Sequence, residues 1–153
     1  MKVKPELRLL IESKAAKYGL DPDLVEAHIL TESSGKPTAT RFEHRFYEHY
    51  VLPLNLKDQN EARGRATSFG LLQIMGQVAR ELNYQGAWSG LMEPAVNLEY
   101  GCKKLAKCYK KYQGDAGIAA YNSGTPRKKD GVFVNQVYVD RVKGFLAMIR
   151  ADK

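Results

Sequence analysis

Cysteine is nearly absent from this chain, with two residues in 153, Cys102 and Cys108. Both fall in one predicted helix, where six positions rise about 9 Å, beyond the reach of a disulfide. They read as reduced packing thiols, and no disulfide framework holds the fold. No apolar run approaches the length of a membrane-spanning helix. Histidine is scarce too: His28, His44 and His49 are the three. His44 and His49 stand five positions apart, without the spacing and intervening Glu of a zinc-binding helix. No metal and no cofactor is therefore expected. Internal repeats, low-complexity tracts and sustained strand-like alternation are also missing. The opening run, Met1-Lys2-Val3-Lys4-Pro5-Glu6-Leu7-Arg8, lacks the apolar core and small cleavage-site residues of a secretory leader. The expectation is a protein made in the cytoplasm and carried onward by other means.

What is present is enough for a core. Hydrophobic residues make up 44% of the chain, and the length suits one domain over 1–153. The net charge of +7 attracts polyanions such as nucleic acid, anionic lipid or acidic cell-envelope polymers. The basic residues are scattered, and Arg127-Lys128-Lys129 is the densest run. A nucleic-acid-binding domain concentrates them on one helix face, so no specific nucleic-acid partner is expected. A monomer is.

The pattern reads as helices separated by Gly, Pro and Asn. Leu7, Ile11, Ala15 and Tyr18 keep helical spacing, with Pro5 before them and Gly19 after. Asp21-Pro22 opens a second helix as cap and first turn. That helix is apolar on nearly every face through Leu30 and stops at Ser33-Ser34-Gly35-Lys36-Pro37. A third, aromatic helix is predicted over about 41–50, with Phe42, Phe46 and Tyr50 on one face and Pro53 ending it. Residues 55–67 read as a polar loop with room for a short hairpin. A helix capped near Ser68 follows, striped by Leu71, Met75, Val78 and Leu82. Pro94 starts a long helix striped by Leu98, Cys102, Leu105, Tyr109 and Tyr112. Asp115 caps a short helix ending at Gly124, residues 125–133 form a basic loop, and Tyr138, Val142, Phe145 and Ile149 mark the last helix. The fold class is all-α, or α with a minor β-hairpin.

Glu32 is the residue with the most chemistry in prospect. It stands at the C-terminal end of a helix expected to be buried. Burial and the negative end of the helix dipole both disfavour the carboxylate, which suits a general acid working near neutral pH.

Its sequence company is informative. The run Ile29-Leu30-Thr31-Glu32-Ser33-Ser34-Gly35-Lys36-Pro37 is followed by Ser68-Phe69-Gly70-Leu71-Leu72-Gln73-Ile74-Met75, then Asn97-Leu98-Glu99-Tyr100-Gly101, Ala120-Tyr121-Asn122-Ser123-Gly124 and Tyr138-Val139. In order and in predicted placement, these resemble the motifs of the soluble lytic transglycosylase family, within the goose-type lysozyme superfamily. The resemblance covers about residues 8–148. It departs from the family in Leu72, where Met is usual, and in an insert at 38–67 between the first two motifs.

The resemblance implies a lysozyme-like helical fold with a cleft and peptidoglycan glycan strands as substrate. Glu32 would protonate the bridging oxygen between N-acetylmuramic acid and N-acetylglucosamine. The same group would then deprotonate the muramoyl 6-hydroxyl to leave a 1,6-anhydro end, with no metal or cofactor. It further implies that Tyr121 orients Glu32, that Gln73 and Asn122 offer amide hydrogen bonds, and that Ile74 and Met75 form part of a sugar-binding wall, with Ser33 and Ser68 in the same motifs. Ile74, Met75 and Tyr121 also fit helix stripes, which makes core packing a competing reading. His28, one turn before Glu32, reads as a core histidine or one bonded near that carboxylate. Glu43, in the insert, is either a second carboxylate that would turn the enzyme into a hydrolysing muramidase, or an ion-pair partner of Arg41 or Arg45. The setting implied is a phage endolysin or a virion-associated lysin, acting from host cytoplasm to periplasm and wall.

Overall fold

The structure is a computed structural model and describes residues 2–153. Its elements are mostly helical: α1 (Pro5–Lys17), α2 (Pro22–Ser33), α3 (His44–Phe46), α4 (Gln59–Arg65), α5 (Gly76–Glu81), α6 (Pro94–Lys111), α7 (Asp115–Ser123) and α8 (Gln136–Ala151). Five short strands accompany them: β1 (Thr40–Phe42), β2 (Thr67–Phe69), β3 (Ile74–Met75), β4 (Lys128–Lys129) and β5 (Val132–Phe133). The fold is all-α with minor antiparallel hairpins, in line with a lysozyme-like fold. Among the described residues, no helix is long and apolar enough to cross a membrane.

The chain forms two compact units, one of residues 1–35 and 102–153 and the other of residues 36–101. In the first, α1 begins at Pro5 and buries Ile11 and Ala15. Gly19, at φ +67°, turns the chain into α2; glycine enters this left-handed region at no steric cost. Asp21 caps α2 by accepting from the Asp23 amide at 2.9 Å. The α2 helix buries Val25, Ala27, Ile29 and Leu30, and also Glu26 and His28. The Arg8 guanidinium reaches from α1 to Glu26 at 2.7 Å and to Asp23 at 2.8 Å. Those partners hold the guanidinium charged against its own desolvation. Ala27 and Leu30 pack with Ile118 and Ala119 of α7 and with Val139, Val142 and Ile149 of α8. The basic loop contains a hairpin, β4–β5, pairing Lys128 with Phe133 and Lys129 with Val132. Asp130-Gly131 makes its turn, both at positive φ, the hairpin dipeptide with the strongest local signal. Asp115 is the first residue of α7 rather than its cap, which is Gly114. Its carboxylate pairs with Lys143 at 3.0 Å instead. Neither cysteine is in a disulfide; Cys102 is buried and Cys108 half-buried.

The second unit departs further from the sequence reading. Phe42 belongs to a strand, paired with Thr67 in a three-stranded antiparallel sheet ordered β1-β2-β3. The aromatic helical stretch begins only at His44 and continues through a π turn, Tyr47–Val51, and a 3₁₀ turn, Leu52–Leu54. Residues 55–67, read as a loop, contain α4, capped by Asp58 on the Asn60 and Glu61 amides. This helix shows no large apolar stripe because it packs through Ala62 and Gly64. A Cβ on Gly64 would run into the Trp88 indole, and one on Gly76 into the Gly64 carbonyl. The helix expected from Ser68 starts at Gly76, and Ser68 and Ile74 lie in strands instead. Gly70 at φ +72° and Gln73 at φ +47° bend the chain into a turn that a helix cannot accommodate.

Candidate active site

Glu32 ends up half-buried in the last turn of α2. The helix stops one residue later, at Ser33, because Ser34 takes a left-handed conformation at φ 55° and Gly35 follows at φ +80°. Ser33 is buried and serves this ending: its hydroxyl donates to the Ile29 carbonyl at 3.1 Å and accepts from the Gly35 amide at 3.2 Å. The Tyr138 hydroxyl, from α8, donates to Glu32 Oε2 at 2.7 Å. The α2–α8 packing around Val139 and Val142 sets that approach.

Behind this pair lies a buried polar chain. His28, one turn earlier on α2, has no exposed surface. Its Nδ1 is 2.8 Å from the Tyr138 hydroxyl and its Nε2 is 2.9 Å from the Tyr109 hydroxyl of α6. The Tyr121 ring lies against the imidazole, with centroids 5.1 Å apart. Burial, reinforced by the charge of Lys104, pushes His28 down to about 3, so the ring is neutral at working pH. Burial raises the Tyr109 phenol. Burial and then the Glu32 charge raise those of Tyr121 and Tyr138. All three keep their protons. The Lys104 ammonium donates to the Tyr121 carbonyl at 2.8 Å and sits 4.1 Å from that ring's centroid. Burial lowers it, while Cys108 and Glu32 act in the opposite sense. Two phenols and a cation are among the groups that act on Glu32. A hydrogen bond and a positive charge both favour the carboxylate form, which opposes the burial effect inferred from sequence.

The second motif forms a separate arrangement within residues 36–101. Asn97, wholly buried, accepts from the Leu72 amide at 2.9 Å and donates to the Phe69 and Leu91 carbonyls at 2.7 and 2.8 Å. Every polar atom of its side chain is spent on backbone. A Cβ on Gly70 would strike the Asn97 amide, and one on Gly101 would strike the Leu72 side chain. The glycines of two motifs are therefore explained by closeness of approach. Gln73 donates to the Ala39 and Gly70 carbonyls, each at 3.0 Å, so its amide nitrogen braces the turn. Ser68 is buried and pairs in register with Arg41 and Met75. Ile74 has no exposed surface and packs with Phe69, Ala79, Tyr84 and Leu91. It is core here, not part of a wall. Met75 is half-buried and lines an open pocket of about 470 Å³ with Arg41, Phe42, Glu43, His44, Arg45 and Phe46. Glu43 is paired with Arg41 at 2.9 Å.

Of the residues singled out in sequence, the structure therefore gathers Tyr121 and His28 around Glu32. It gathers Ser68, Gln73, Ile74 and Met75 in one hairpin. Asn122 is exposed and accepts from the Asn135 side chain at 2.9 Å. Sequence reasoning missed Tyr138, Tyr109 and Lys104 as members of the Glu32 environment. The Tyr138-Val139 step and the one-turn spacing of His28 from Glu32 were the available signals, but long-range pairing of α2 with α6 and α8 has no local signature. Among the described residues, no group of three His, Cys, Asp or Glu side chains is placed to hold a metal ion.

A comparison with protein-family models matches residues 9–132 to the transglycosylase SLT domain. The matched span runs from within α1 into the β4–β5 hairpin and takes in Glu32, the Gly70–Gln73 turn, Asn97 and Tyr121. By that match, over most of its length, the chain belongs to the transglycosylase SLT domain family.

Proposed function

We propose that Glu32 is the one carboxyl group that performs both proton transfers in cleavage of the β-1,4 bond between N-acetylmuramic acid and N-acetylglucosamine. Family membership makes the chain a peptidoglycan-cleaving enzyme of the lytic transglycosylase kind, with peptidoglycan as its substrate. The bond, the product and the residue are the proposal's additions.

In the first step the Glu32 carboxylic acid gives its proton to the bridging oxygen and the C1–O bond breaks. The muramoyl acetamido group can stabilise the positive anomeric carbon, which dispenses with a second carboxylate. In the second step the Glu32 carboxylate takes the proton of the 6-hydroxyl as that oxygen bonds to C1. The 1,6-anhydro end forms, Glu32 is protonated again, and no water is consumed. The observation that carries this reading is the Glu32 carboxylate at the end of a buried helix, held at Oε2 by Tyr138. A group that must be acid and then base in one cycle needs an environment favouring neither form strongly. Half-burial favours the acid, and Tyr138 and Lys104 favour the base.

The hydrolytic alternative would recruit Glu43 to activate a water. Its ion pair with Arg41 supports a binding or structural role instead. Within the proposal, Gln73, Met75 and Asn122 contact substrate, while Ser33, Ser68, Ile74 and Tyr121 shape what surrounds them. Residues 1–153 act as one catalytic domain and as a monomer. The positive charge of +7 favours approach to anionic envelope polymers, consistent with an endolysin or virion-associated lysin that reaches the wall of a bacterial host. Mass spectrometry of muropeptides released from purified sacculi tests the reading: anhydromuramoyl ends are expected, and reducing muramoyl ends would replace it with a muramidase.

A further inference from the structure

With Glu32 ionised, the buried hydroxyls and the imidazole behind it admit one arrangement of protons. Tyr138 has a single hydroxyl proton and donates it to Glu32 Oε2. Its oxygen can then meet His28 Nδ1, at 2.8 Å, only by accepting, so Nδ1 carries a hydrogen. A neutral imidazole has one N–H, so Nε2 must accept, and its partner at 2.9 Å is the Tyr109 hydroxyl. The chain runs in one direction: Tyr109 to His28, His28 to Tyr138, Tyr138 to Glu32.

We infer that Tyr109 and His28 are positioning residues that fix the proton direction of Tyr138 and thereby decide which oxygen of Glu32 carries the acidic proton. While Tyr138 donates to Oε2, a proton on Glu32 resides at Oε1. The alternative needs Tyr138 to swing its proton toward His28 and accept from Glu32 in return. That swing requires a bare Nδ1, hence an N–H at Nε2, which would face Tyr109 as a second donor unless that hydroxyl also turned. The whole chain would have to reverse together. Each link is buried or half-buried, where an unmatched donor pair costs most. Depression of the His28 pKa to about 3 prevents the other escape, a doubly protonated ring.

Groups that bear on Glu32 and the chain include Tyr138 on α8, Tyr121 and Asp115 on α7, and Cys102, Lys104, Cys108 and Tyr109 on α6. A Tyr109→Phe change removes one hydroxyl distant in the chain from Glu32 and alters none of the others. Without it, an Nε2–H no longer meets a second donor, so the tautomer in which Nδ1 accepts from Tyr138 costs less than in the wild type, which weakens the hydrogen bond to the Glu32 carboxylate.

The inference rests on Glu32 being the general acid only for its kinetic consequence; the proton arrangement stands apart from it. Nitrogen-15 NMR of the full chain with labelled histidine reads that arrangement directly. The expected wild-type result is His28 as the Nδ1–H tautomer, with no titration between about pH 5 and 8. In Tyr109→Phe the Nε2–H tautomer should appear. The basic limb of the rate of muropeptide release at limiting substrate should move up by up to about one pH unit, in the same direction as in Tyr138→Phe. A wild-type Nε2–H tautomer overturns the inference, even if Tyr109→Phe fails to fold. So does a folded Tyr109→Phe protein with unchanged tautomer and unchanged pH profile. Retained activity in Glu32→Gln would instead remove the proposed function while leaving the tautomer result standing.

Discussion

In the unit of residues 1–35 and 102–153, one chain of buried and half-buried polar side chains leads to a carboxylate. In the unit of residues 36–101, the side chains of Asn97 and Gln73 end on backbone. Tyr109, His28 and Tyr138 pass hydrogen bonds from one to the next until Glu32 receives the last. Asn97 and Gln73 give theirs to the carbonyls of Ala39, Phe69, Gly70 and Leu91. Burying polar groups is costly without partners, and the two units meet that cost for different ends. One orients a titratable group at a helix terminus. The other holds a left-handed turn that no propensity favours. Polar residues that look alike in a sequence thus separate into those that aim chemistry and those that hold shape.

The sharpest way to break this contrast is Asn97→Ala. Three backbone groups, the Leu72 amide and the Phe69 and Leu91 carbonyls, lose their buried partner. At roughly 1–3 kcal/mol each, a loss of about 3 kcal/mol or more is expected, seen as a fall in Tm of about 10 °C. A shift of under about 2 °C would mean that the turn holds itself.

His28 should reveal itself through acid sensitivity. Its folded pKa, about 3, lies below the ordinary 6.5. The unfolded chain therefore takes up a proton that the folded one refuses. Stability is intact above pH 6.5 and falls as pH drops toward 3, by up to about 1.4 kcal/mol per unit. Asp23 and Glu61 are lowered from 3.8 and 4.5, so their losses set in within about a unit above those values and grow below them. Urea unfolding between pH 6.5 and about 5.5 therefore isolates His28 from them. The slope should be present in the wild type and flattened in His28→Gln. An equal slope in both would place the sensitivity elsewhere.

Glu43→Gln should have the smallest effect. Its partner Arg41 is 77% exposed at the side chain, and ion pairs of that kind contribute about 0–1 kcal/mol. Release rates within about twofold of wild type, with unchanged product ends, are expected. A large loss would move Glu43 into the chemistry and erase the division between the two units.

What the sequence revealed follows the same division. The helices of the first unit were legible because Pro5, Asp21-Pro22 and Gly19 mark their ends and Ile11, Ala15, Val142 and Ile149 fall on regular stripes. Glu32 stands out in the sequence from its place at the C-terminal end of a helix apolar on nearly every face. The second unit hid its structure. Ser68 to Met75 carries a helix-like stripe, yet Gly70 and Gln73 at positive φ, tied by the distant Asn97, override it. The α4 helix packs through Ala62 and Gly64, residues too small to register as a periodic signal. Tyr109 and Tyr138 sat on stripes that read as core. Nothing local distinguishes a phenol that fills space from one whose hydroxyl completes a chain.

The most direct test of the central claim is Glu32→Gln, which keeps the size of the side chain and its acceptor for Tyr138 but removes the proton cycle. With Tm within a few degrees of wild type, muropeptide release should fall by about 10²–10⁴-fold. A well-folded Glu32→Gln protein that digests sacculi at the wild-type rate would contradict the account.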